Sequence, residues 1–381
     1  MNVNDLEKCC GCGECKYICP TNAISYKKNN QGFLFPTVDE NSCVNCSLCV
    51  KRCTFNKEFI SNEIIASFAV KHKNEEVRAQ SRSGGVFTAL TDFVLKRNGV
   101  VYGCVLQNFD TAVHVRATNS LERNEFRKSK YIQSDNTNIF EQIEKDVKDG
   151  LYVVYSGTSC QVNAVKDYLK DLDLSKVFFV DVVCHGVPSP KVWQDYLKFV
   201  NKKNKKIKKV EFRDKDKFGW ASHYESVTYQ DGQYFSSNVF TTLFYSHLIL
   251  RKDCFSCPYR HVYHHSDVTI ADCWGIKQNN PEFDDDKGVS LVILNSEKGR
   301  NLFESVKNDL NVLQININDF LQPPLKENWQ MPQEWKDFWE YYNNHSFKKI
   351  IKKYIPKPKK ISFWRKVKIK CKLILKKVKR K

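Results

Sequence analysis

The sequence has 381 residues, of which 41% are hydrophobic, and a formal net charge of +18. This composition supports folded cores and excludes a chain that is disordered throughout. No apolar run approaches the roughly 20 residues of a membrane-spanning helix, and the first residues lack a secretory pattern. We therefore expect a cytoplasmic protein, in which the sixteen cysteines bind metal more readily than they form disulfides.

The positive charge is concentrated at one end of the sequence. Residues 347–381 contain 17 Lys or Arg and no Asp or Glu, which leaves a net charge of +1 on the first 346 residues. A nucleic-acid-binding fold normally spreads basic residues over a folded face. Nucleic acid is therefore not the expected partner of the body of the protein.

The first 58 residues contain one cysteine motif twice. The spacing C-x2-C-x2-C-x3-C runs from Cys9 to Cys19 and again from Cys43 to Cys53. Three thiolates at this spacing surround a [4Fe-4S] cluster, and in two-cluster ferredoxins the fourth cysteine ligates the other cluster. The predicted ligands are Cys9, Cys12, Cys15 and Cys53 for the first cluster and Cys43, Cys46, Cys49 and Cys19 for the second. Cys10 has no place in this pattern.

Residues 1–58 resemble bacterial-type ferredoxins with two [4Fe-4S] clusters. A pair of zinc knuckles is the alternative, because C-x2-C pairs also bind zinc. Zinc sites combine two pairs of ligands, however, and a doubled run of three cysteines plus one favours iron–sulfur clusters. We expect these clusters to carry electrons one at a time.

After the cysteine-rich region, the pattern predicts strand–loop–helix units. Such units in succession indicate an α/β sheet with a parallel portion, whose ligands collect beyond the carboxyl ends of the strands. Cys160 and Cys184 lie in the two loops that follow strands. The predicted units are a strand at 151–155 with a helix at 162–169, and a strand at 177–183 with a helix at 191–201.

A third cysteine site is predicted in this body. Cys254 and Cys257 form a C-x2-C pair after a predicted helix at 240–250. Together with Cys160 and Cys184 they would supply four thiolates for another [4Fe-4S] cluster. Two alternatives remain open at this point. Cys160 and Cys184 could be small core residues, or the C-x2-C pair could bind zinc with a nearby histidine, for which the candidates are His261, His264 and His265.

A Ser/Gly-rich turn at 83–85 precedes a predicted helix at 86–96. Backbone amides at such a turn can bind a phosphate, although a tight turn with a serine cap is the commoner outcome. The sequence has neither a G-x-G-x-x-G after a strand nor a P-loop, so nicotinamide binding by a dinucleotide fold and ATP hydrolysis are not supported.

Seven motifs in order then resemble the coenzyme F420 hydrogenase/dehydrogenase beta-subunit family, which is related to 7-hydroxymethyl chlorophyll a reductase. The resemblance covers roughly residues 60–310, with a ferredoxin fused in front. The motifs are SRSGGVFT at 81–88, KSKYIQS at 128–134, GTSCQ at 157–161, VCHGVPSP at 183–190, FRDK at 212–215, the C-x2-C pair at 254–257 and SDVTIADCWG at 266–275.

The resemblance implies an iron–sulfur flavoprotein that contains FAD. The residues that it implies around the flavin are Ser83, Gly84, Gly85, Lys130, Gly157, Thr158, Gly186, Val187 and Ser189. Lys130 would stabilise the reduced ring unless it is a surface lysine, and His185 would donate a proton unless its role is structural. The chain departs from the family at Ser159, where proline is usual, and at Cys273, where an aromatic is usual; Cys273 would be a fifth thiol near the site.

The end of the sequence predicts an aromatic segment and a basic tail. From residue 361 a helix would present one apolar face among lysines, which fits the surface of an anionic membrane. A solvated tail, or one that binds nucleic acid non-specifically, is the alternative. The apolar positions are Trp364, Val367, Cys371, Ile374 and Val378. The aromatic residues expected to pack on the body are Trp329, Trp335, Trp339, Tyr341 and Tyr342.

The sequence thus predicts a fold of class α+β or α/β. We expect a ferredoxin domain at 1–58, the N-terminal-like and C-terminal-like regions of the family at 60–148 and 149–330, and the tail segment at 331–381. The expected function is an oxidoreductase that passes electrons between the clusters, FAD and a hydride carrier or organic substrate. One alternative is an electron-transfer subunit that serves a partner oxidoreductase; another is a zinc-bearing nucleic-acid-binding protein.

Overall fold

The computed structural model describes residues 2–6, 8–57 and 63–356. Its strands are β1 (Ile24–Lys28), β2 (Leu34–Val38), β3 (Ala66–His72), β4 (Val100–Gln107), β5 (Thr111–Ala117), β6 (Ser134–Asp135), β7 (Val153–Thr158), β8 (Val177–Val182), β9 (Ile207–Glu211), β10 (Glu225–Tyr229), β11 (Tyr234–Ser237), β12 (Val268–Asp272), β13 (Ser290–Leu294) and β14 (Leu310–Gln314). Its α-helices are α1 (Glu14–Tyr17), α2 (Leu48–Lys51), α3 (Glu75–Gln80), α4 (Val86–Leu95), α5 (Ser120–Asn124), α6 (Phe140–Lys148), α7 (Ser159–Tyr168), α8 (Pro190–Val200), α9 (Lys215–Phe218), α10 (Val239–Tyr245), α11 (Ile276–Asn279), α12 (Glu297–Val306), α13 (Trp335–Asn344) and α14 (Phe347–Tyr354).

The first 57 residues form a small module around an antiparallel hairpin of β1 and β2. Two one-turn helices, α1 and α2, each lie within a cysteine run and pack against each other. The side chains of Cys15 and Cys49 are buried with Ile24 and Val38 in the core of this module. The cysteine loops are therefore held against the hairpin, as a ferredoxin module requires.

The body is built on one nine-stranded mixed sheet. Its strand order is β14-β3-β13-β12-β8-β7-β4-β5-β6. The central strands β12, β8, β7 and β4 are parallel neighbours, so their carboxyl ends meet at one edge. The predicted α/β class is confirmed. Strands from both predicted regions of the body, 60–148 and 149–330, pair within this single sheet.

The helix after β7 begins earlier than the sequence analysis predicted. The Thr158 side chain bonds to the backbone of Gln161, and the Gln161 side chain bonds back to the Thr158 backbone. This reciprocal capping box starts α7 at Ser159. Cys160 therefore lies in the first turn of a helix, not in a loop.

A second layer packs on the body around aromatic side chains. The three-stranded sheet β11-β10-β9 lies with α8, α10, α13 and α14 over a core that includes Trp193, Phe240 and Phe338. The predicted packing of the aromatic segment is confirmed, because Trp335, Trp339 and Tyr342 are buried. The helix predicted at 240–250 is shorter and ends at Tyr245.

The first part of the basic segment is a packed helix. In α14 the Ile350 side chain is fully buried, and Phe347 contacts Phe199 of α8. The predicted amphipathic helix from residue 361 lies outside the described residues. Within the part of the chain that the structure describes, no helix is both long enough and apolar enough to span a bilayer.

The ferredoxin module docks closely on the body. Gln133 accepts a hydrogen bond of 2.7 Å from the Leu34 amide, and Asn136 donates one of 3.1 Å to the Cys12 carbonyl oxygen. Arg52 pairs with Asp167 of α7 at 2.6 Å. These contacts hold the cysteine loops against the carboxyl ends of the parallel strands.

Candidate functional site

The ligands predicted for the second cluster line one small cavity at the outer end of the ferredoxin module. These residues are Cys19, Cys43, Cys46 and Cys49. The Ala23 amide donates a hydrogen bond of 3.3 Å to the Cys19 sulfur, as amides do for the sulfurs of iron–sulfur clusters. Cys46 is exposed. A cluster here would lie close to solvent, where an external redox partner could reach it.

The ligands predicted for the first cluster lie deeper, on the side that faces the body. Burial raises the pKa of Cys9 to about 12, and the Cys15 thiol interacts electrostatically with Cys9, Cys12 and Cys53. Polar groups point at these sulfurs; Gly11 N lies 3.3 Å from Cys9 Sγ and Asn56 Nδ2 lies 3.2 Å from Cys53 Sγ. Buried thiols of this kind ionise together only when metal cations neutralise them, so the residues fit a cluster.

The third set of cysteines also converges on one small cavity. Cys160 comes from α7, Cys184 follows β8, Cys254 lies in the 3-10 turn Lys252–Ser256, and Cys257 directly follows that turn. Burial raises the pKa of Cys184 to about 11 and that of Cys254 to about 12. The Gly186 amide donates a hydrogen bond of 3.4 Å to the Cys184 sulfur. Four thiols from three elements thus face one space.

Cys10, which the sequence pattern left without a role, is the fifth thiol of this third site. Its side chain interacts with Cys12 of the first cluster site and with Cys160 of the third. The interaction with Cys10 lowers the pKa of Cys160 to about 7. The Cys9–Cys10 doublet is the sequence signal that could have indicated a second thiol at this loop.

The expectation for Cys273 is wrong. Its side chain is fully buried in an apolar cluster with Trp220, Ile276 and Val289. It lines neither the third cysteine cavity nor the large cavity described below. The strand β13 covers it, because the Cys273 amide bonds to the Val289 carbonyl oxygen. The extra thiol of the site comes from the ferredoxin module instead.

The three histidines near Cys257 do not line the third cysteine cavity. His264 Nδ1 lies 2.6 Å from Asp181, His265 Nδ1 lies 2.7 Å from Asn163, and His261 Nε2 lies 2.8 Å from the Pro258 carbonyl oxygen. Among the described residues, no three His, Cys, Asp or Glu side chains are close enough to hold a single metal ion. In a [4Fe-4S] cluster each thiolate binds a different iron, so its sulfurs stand further apart.

A large cavity of about 640 Å³ opens beyond the third cysteine site at the ends of the parallel strands. Seven of the nine residues that the family resemblance implies around a flavin line it, namely Ser83, Gly85, Lys130, Gly157, Thr158, Gly186 and Val187. It shares walls with the third cysteine site at Cys10, Cys160 and Cys184. The cavity and the cysteine cluster are therefore adjoining spaces.

The remaining two residues, Gly84 and Ser189, do not line the cavity. A Cβ on Gly84 would lie 2.0 Å from the carbonyl oxygen of Val70, so the glycine allows its turn to approach β3. Ser189 is fully buried, accepts a hydrogen bond from the Val192 amide at the start of α8, and donates one to the Gln31 carbonyl oxygen. Both residues support the cavity wall from behind.

The cavity wall is strongly basic. Lys130 donates hydrogen bonds to the carbonyl oxygens of Glu125 and Arg127, and burial lowers its pKa to about 8. Polar atoms of Arg82, His114 and His223 are buried without a hydrogen-bond partner among the described residues. The charged residues that line the cavity are Arg82, Arg127, Lys128, Lys130, Arg213 and Asp272. A wall of five cations and one anion, with unpaired buried polar atoms, fits a large anionic ligand such as FAD.

His185 lines the cavity but does not suit the role of an acid. Its Nε2 lies 3.0 Å from Nε2 of His247, and its ring packs against Phe244, Tyr245 and Trp329. Burial lowers its pKa to about 3, so the imidazole is neutral near pH 7. A neutral imidazole is a poor general acid, so this pKa does not support the role of proton donor.

The cysteine sites lie in series, and this arrangement is that of an iron–sulfur electron-transfer protein. Residues 8–57 match the model of the 4Fe-4S dicluster domain. Residues 151–318 match the model of the C-terminal part of the beta subunit of coenzyme F420 hydrogenase/dehydrogenase. The chain therefore carries a dicluster ferredoxin domain at 8–57 and, at 151–318, a region similar to the C-terminal part of this beta subunit.

Two known proteins are similar to parts of this chain. An uncharacterised ferredoxin of Methanocaldococcus jannaschii is 38% identical over 54 residues, which cover 14% of this chain and 69% of that protein. A chain in the structure of the F420-reducing [NiFe] hydrogenase complex from Methanosarcina barkeri is 18% identical, with a TM-score of 0.49 over 68% of this chain and 84% of that chain.

Proposed function

We propose that this protein is an FAD-dependent oxidoreductase with three [4Fe-4S] clusters. Electrons pass between the second cluster, the first cluster, the third cluster and FAD, in either direction. Bound in the large cavity, FAD would supply hydride exchange with a carrier or an organic substrate. Bound FAD supplies the conversion between two-electron hydride transfer and the one-electron steps of the clusters.

The observation that supports this proposal most is the position of Cys10. It interacts with Cys12 of the first cluster site, lines the third cysteine cavity beside Cys160, and also lines the large cavity. Three spaces for redox groups therefore meet around one side chain. Short separations between redox groups are what a chain of one-electron transfers requires.

The residues around the large cavity have distinct roles in this function. Lys130 holds a positive charge at the wall below about pH 8, where it stabilises negative charge on a bound ring. Arg82 and Arg213 lie beside Asp272 at 3.7 and 2.8 Å, and the excess of cations favours anionic ligands. Neutral His185 orients a ligand at the opening beside Trp329 and excludes water from it.

The test is a cofactor analysis of the full chain purified without oxygen. We expect about twelve irons and about one FAD per chain. The variant Cys184→Ser should lose about four irons and keep the other eight. The variant Cys104→Ser is the matched control, because Cys104 lines the large cavity but not the third cysteine cavity; it should keep all twelve.

Other results would replace the proposal. A protein with about eight irons and no flavin would support the alternative, in which the chain is an electron-transfer subunit that serves a partner oxidoreductase. Stoichiometric zinc without iron would favour the zinc-bearing nucleic-acid-binding protein. With the flavin present, anaerobic bleaching of its absorbance by a reduced hydride carrier would identify the carrier class, whereas bleaching only by a reduced partner protein would favour the subunit role.

A further inference from the structure

Arg260 is a buried arginine beside the third cysteine cavity. Its residue surface is 6% exposed, and its Nε, Nη1 and Nη2 atoms all lack a partner among the described residues. The guanidinium lies 4.4 Å from the ring centre of Trp329. An isolated buried charge is strongly unfavourable, so this side chain requires a compensating anion.

The groups that face Arg260 are cysteines of the third site. It lines the same small cavity as Cys184, Cys254 and Cys257, and it interacts electrostatically with each of these three sulfurs. Neutral thiols would not compensate a guanidinium. Four thiolates around a [4Fe-4S] core carry a net negative charge, which increases by one when the cluster gains an electron.

We propose that Arg260 is the counter-charge of the third cluster and raises its midpoint potential above those of the two ferredoxin clusters. The inference rests on the proposed function, because it needs the third cluster. A buried cation stabilises the reduced cluster more than the oxidised cluster, since the reduced form is more negative. Trp329 covers the guanidinium and keeps water away, which strengthens the interaction.

The arginine near the first cluster differs from Arg260 in its partners. Arg251 lies near Cys9 and also lines the third cysteine cavity, but its charge is compensated, because Asp253 lies 3.4 Å from its Nε. Positive and negative charges therefore oppose each other around the first cluster. At the second cluster, exposed Cys46 places the site near water, which screens charges. Of the three cysteine sites among the described residues, only the third is buried and also faces a cation, Arg260, that no nearby anion compensates.

The test is a redox titration followed by electron paramagnetic resonance on the anaerobic full-length protein. The variants are Arg260→Gln, which removes the charge, and Arg260→Lys, which keeps it. In the wild type we expect one cluster to be reduced at a higher potential than the other two. The Gln variant should shift only that signal to lower potential, and the Lys variant should retain most of the wild-type value. Arg78→Gln is the control, because Arg78 is a buried arginine paired with Asp285.

Each outcome decides the inference. Three clusters with the same potentials in wild type and Arg260→Gln would overturn it while leaving the proposed function intact. About eight irons in the wild type would overturn both. If Arg260→Gln loses about four irons, the Arg260→Lys variant decides between the two explanations. A Lys variant that keeps all its iron and the wild-type potential supports the counter-charge. A Lys variant that keeps all its iron but has a lowered potential overturns it.

Discussion

Arg251 of the body donates a hydrogen bond of 2.6 Å from its Nε to the carbonyl oxygen of Cys9. The same guanidinium donates to the Leu34 carbonyl oxygen at 2.9 Å and stacks 3.8 Å from the ring centre of Phe35. Arg251 is 1% exposed. One side chain thus fixes the first cysteine loop and the hairpin of the ferredoxin module against the body.

Replacing this arginine should loosen the two parts of the protein. Arg251→Met keeps the length of the side chain but leaves two buried carbonyl oxygens without a donor, so we expect a loss of about 2 kcal/mol in the free energy of unfolding. Urea titration of the anaerobic protein measures it. Arg300→Met, which removes an arginine that pairs on an exposed helix surface with Glu297, should change stability by less than about 0.5 kcal/mol. Equal effects of the two changes would contradict the docking role.

Cys10 should not be a cluster ligand. Cys10→Ala removes its interactions with Cys12 and Cys160 but leaves four thiols at each site, so iron content should stay at the wild-type value. Electron transfer between the ferredoxin module and the flavin should slow, which stopped-flow absorbance would measure after mixing with a reductant. Cys10→Ser keeps a donor at the same place and should recover part of the rate. Loss of about four irons in the alanine variant would instead make Cys10 a ligand.

Lys130 should tune the bound flavin in a pH-dependent way. Burial lowers its pKa to about 8, so its positive charge is present below this pH and lost above it. The flavin midpoint potential should therefore fall more steeply between pH 7 and 9 in the wild type than in Lys130→Met. Spectroelectrochemistry measures both slopes. Lys176→Met, at an exposed lysine outside the cavity, should keep the wild-type slope; identical slopes in all three proteins would remove Lys130 from the site.

Asp181 and His264 form a buried ion pair beneath the third cysteine site, with 2.6 Å between Nδ1 and Oδ2. Against the effect of burial, Asp181 raises the pKa of His264, and His264 lowers the pKa of Asp181. Asp181→Asn removes the buried negative charge that faces His264 and should reduce the free energy of unfolding by about 3 kcal/mol. Asp173→Asn, at an exposed carboxylate, is the control for the loss of charge.

The same pair predicts the direction of a pH effect. A raised His264 pKa contributes stability below its unfolded value of about 6.5 and loses it as the pH rises through the folded value. The lowered Asp181 pKa contributes stability above about 3.9 and loses it in acid. Urea midpoints should therefore fall between pH 6 and pH 8.5 in the wild type and fall less in Asp181→Asn. A steeper fall in the variant would contradict this assignment.

Binding of the basic tail to an anionic membrane surface remains a prediction. Because α14 packs on the body, a deletion should begin at residue 357 and not at Phe347. Removal of 357–381 should abolish binding to anionic vesicles and leave iron and flavin contents unchanged. Trp364→Ala and Ile374→Asp should weaken binding while the lysines remain. Binding that depends on the lysines but not on these two residues would indicate a non-specific polycation.

The sequence could predict the elements of the site but not their arrangement. The repeated spacing of cysteines specifies ligand sets because each run is local, and the βα units specify which loops share an edge of the sheet. Cys10 could not be assigned, since its neighbour Cys160 is 150 positions away and only docking of the ferredoxin module brings them together. Gly84 and Ser189 belong to the family motifs but do not line the cavity. A motif contains residues that are needed for close packing as well as residues that contact a ligand.

The third cysteine site is assembled from residues far apart in the chain. Its four thiols come from positions 160, 184, 254 and 257, and its neighbour Cys10 comes from the ferredoxin module. The ferredoxin sites use residues within the first 53 positions. During synthesis the two ferredoxin clusters can therefore be loaded while the ribosome is still translating the sheet. A third cluster would need residues up to position 257, so cofactor insertion would follow an order set by the course of the polypeptide.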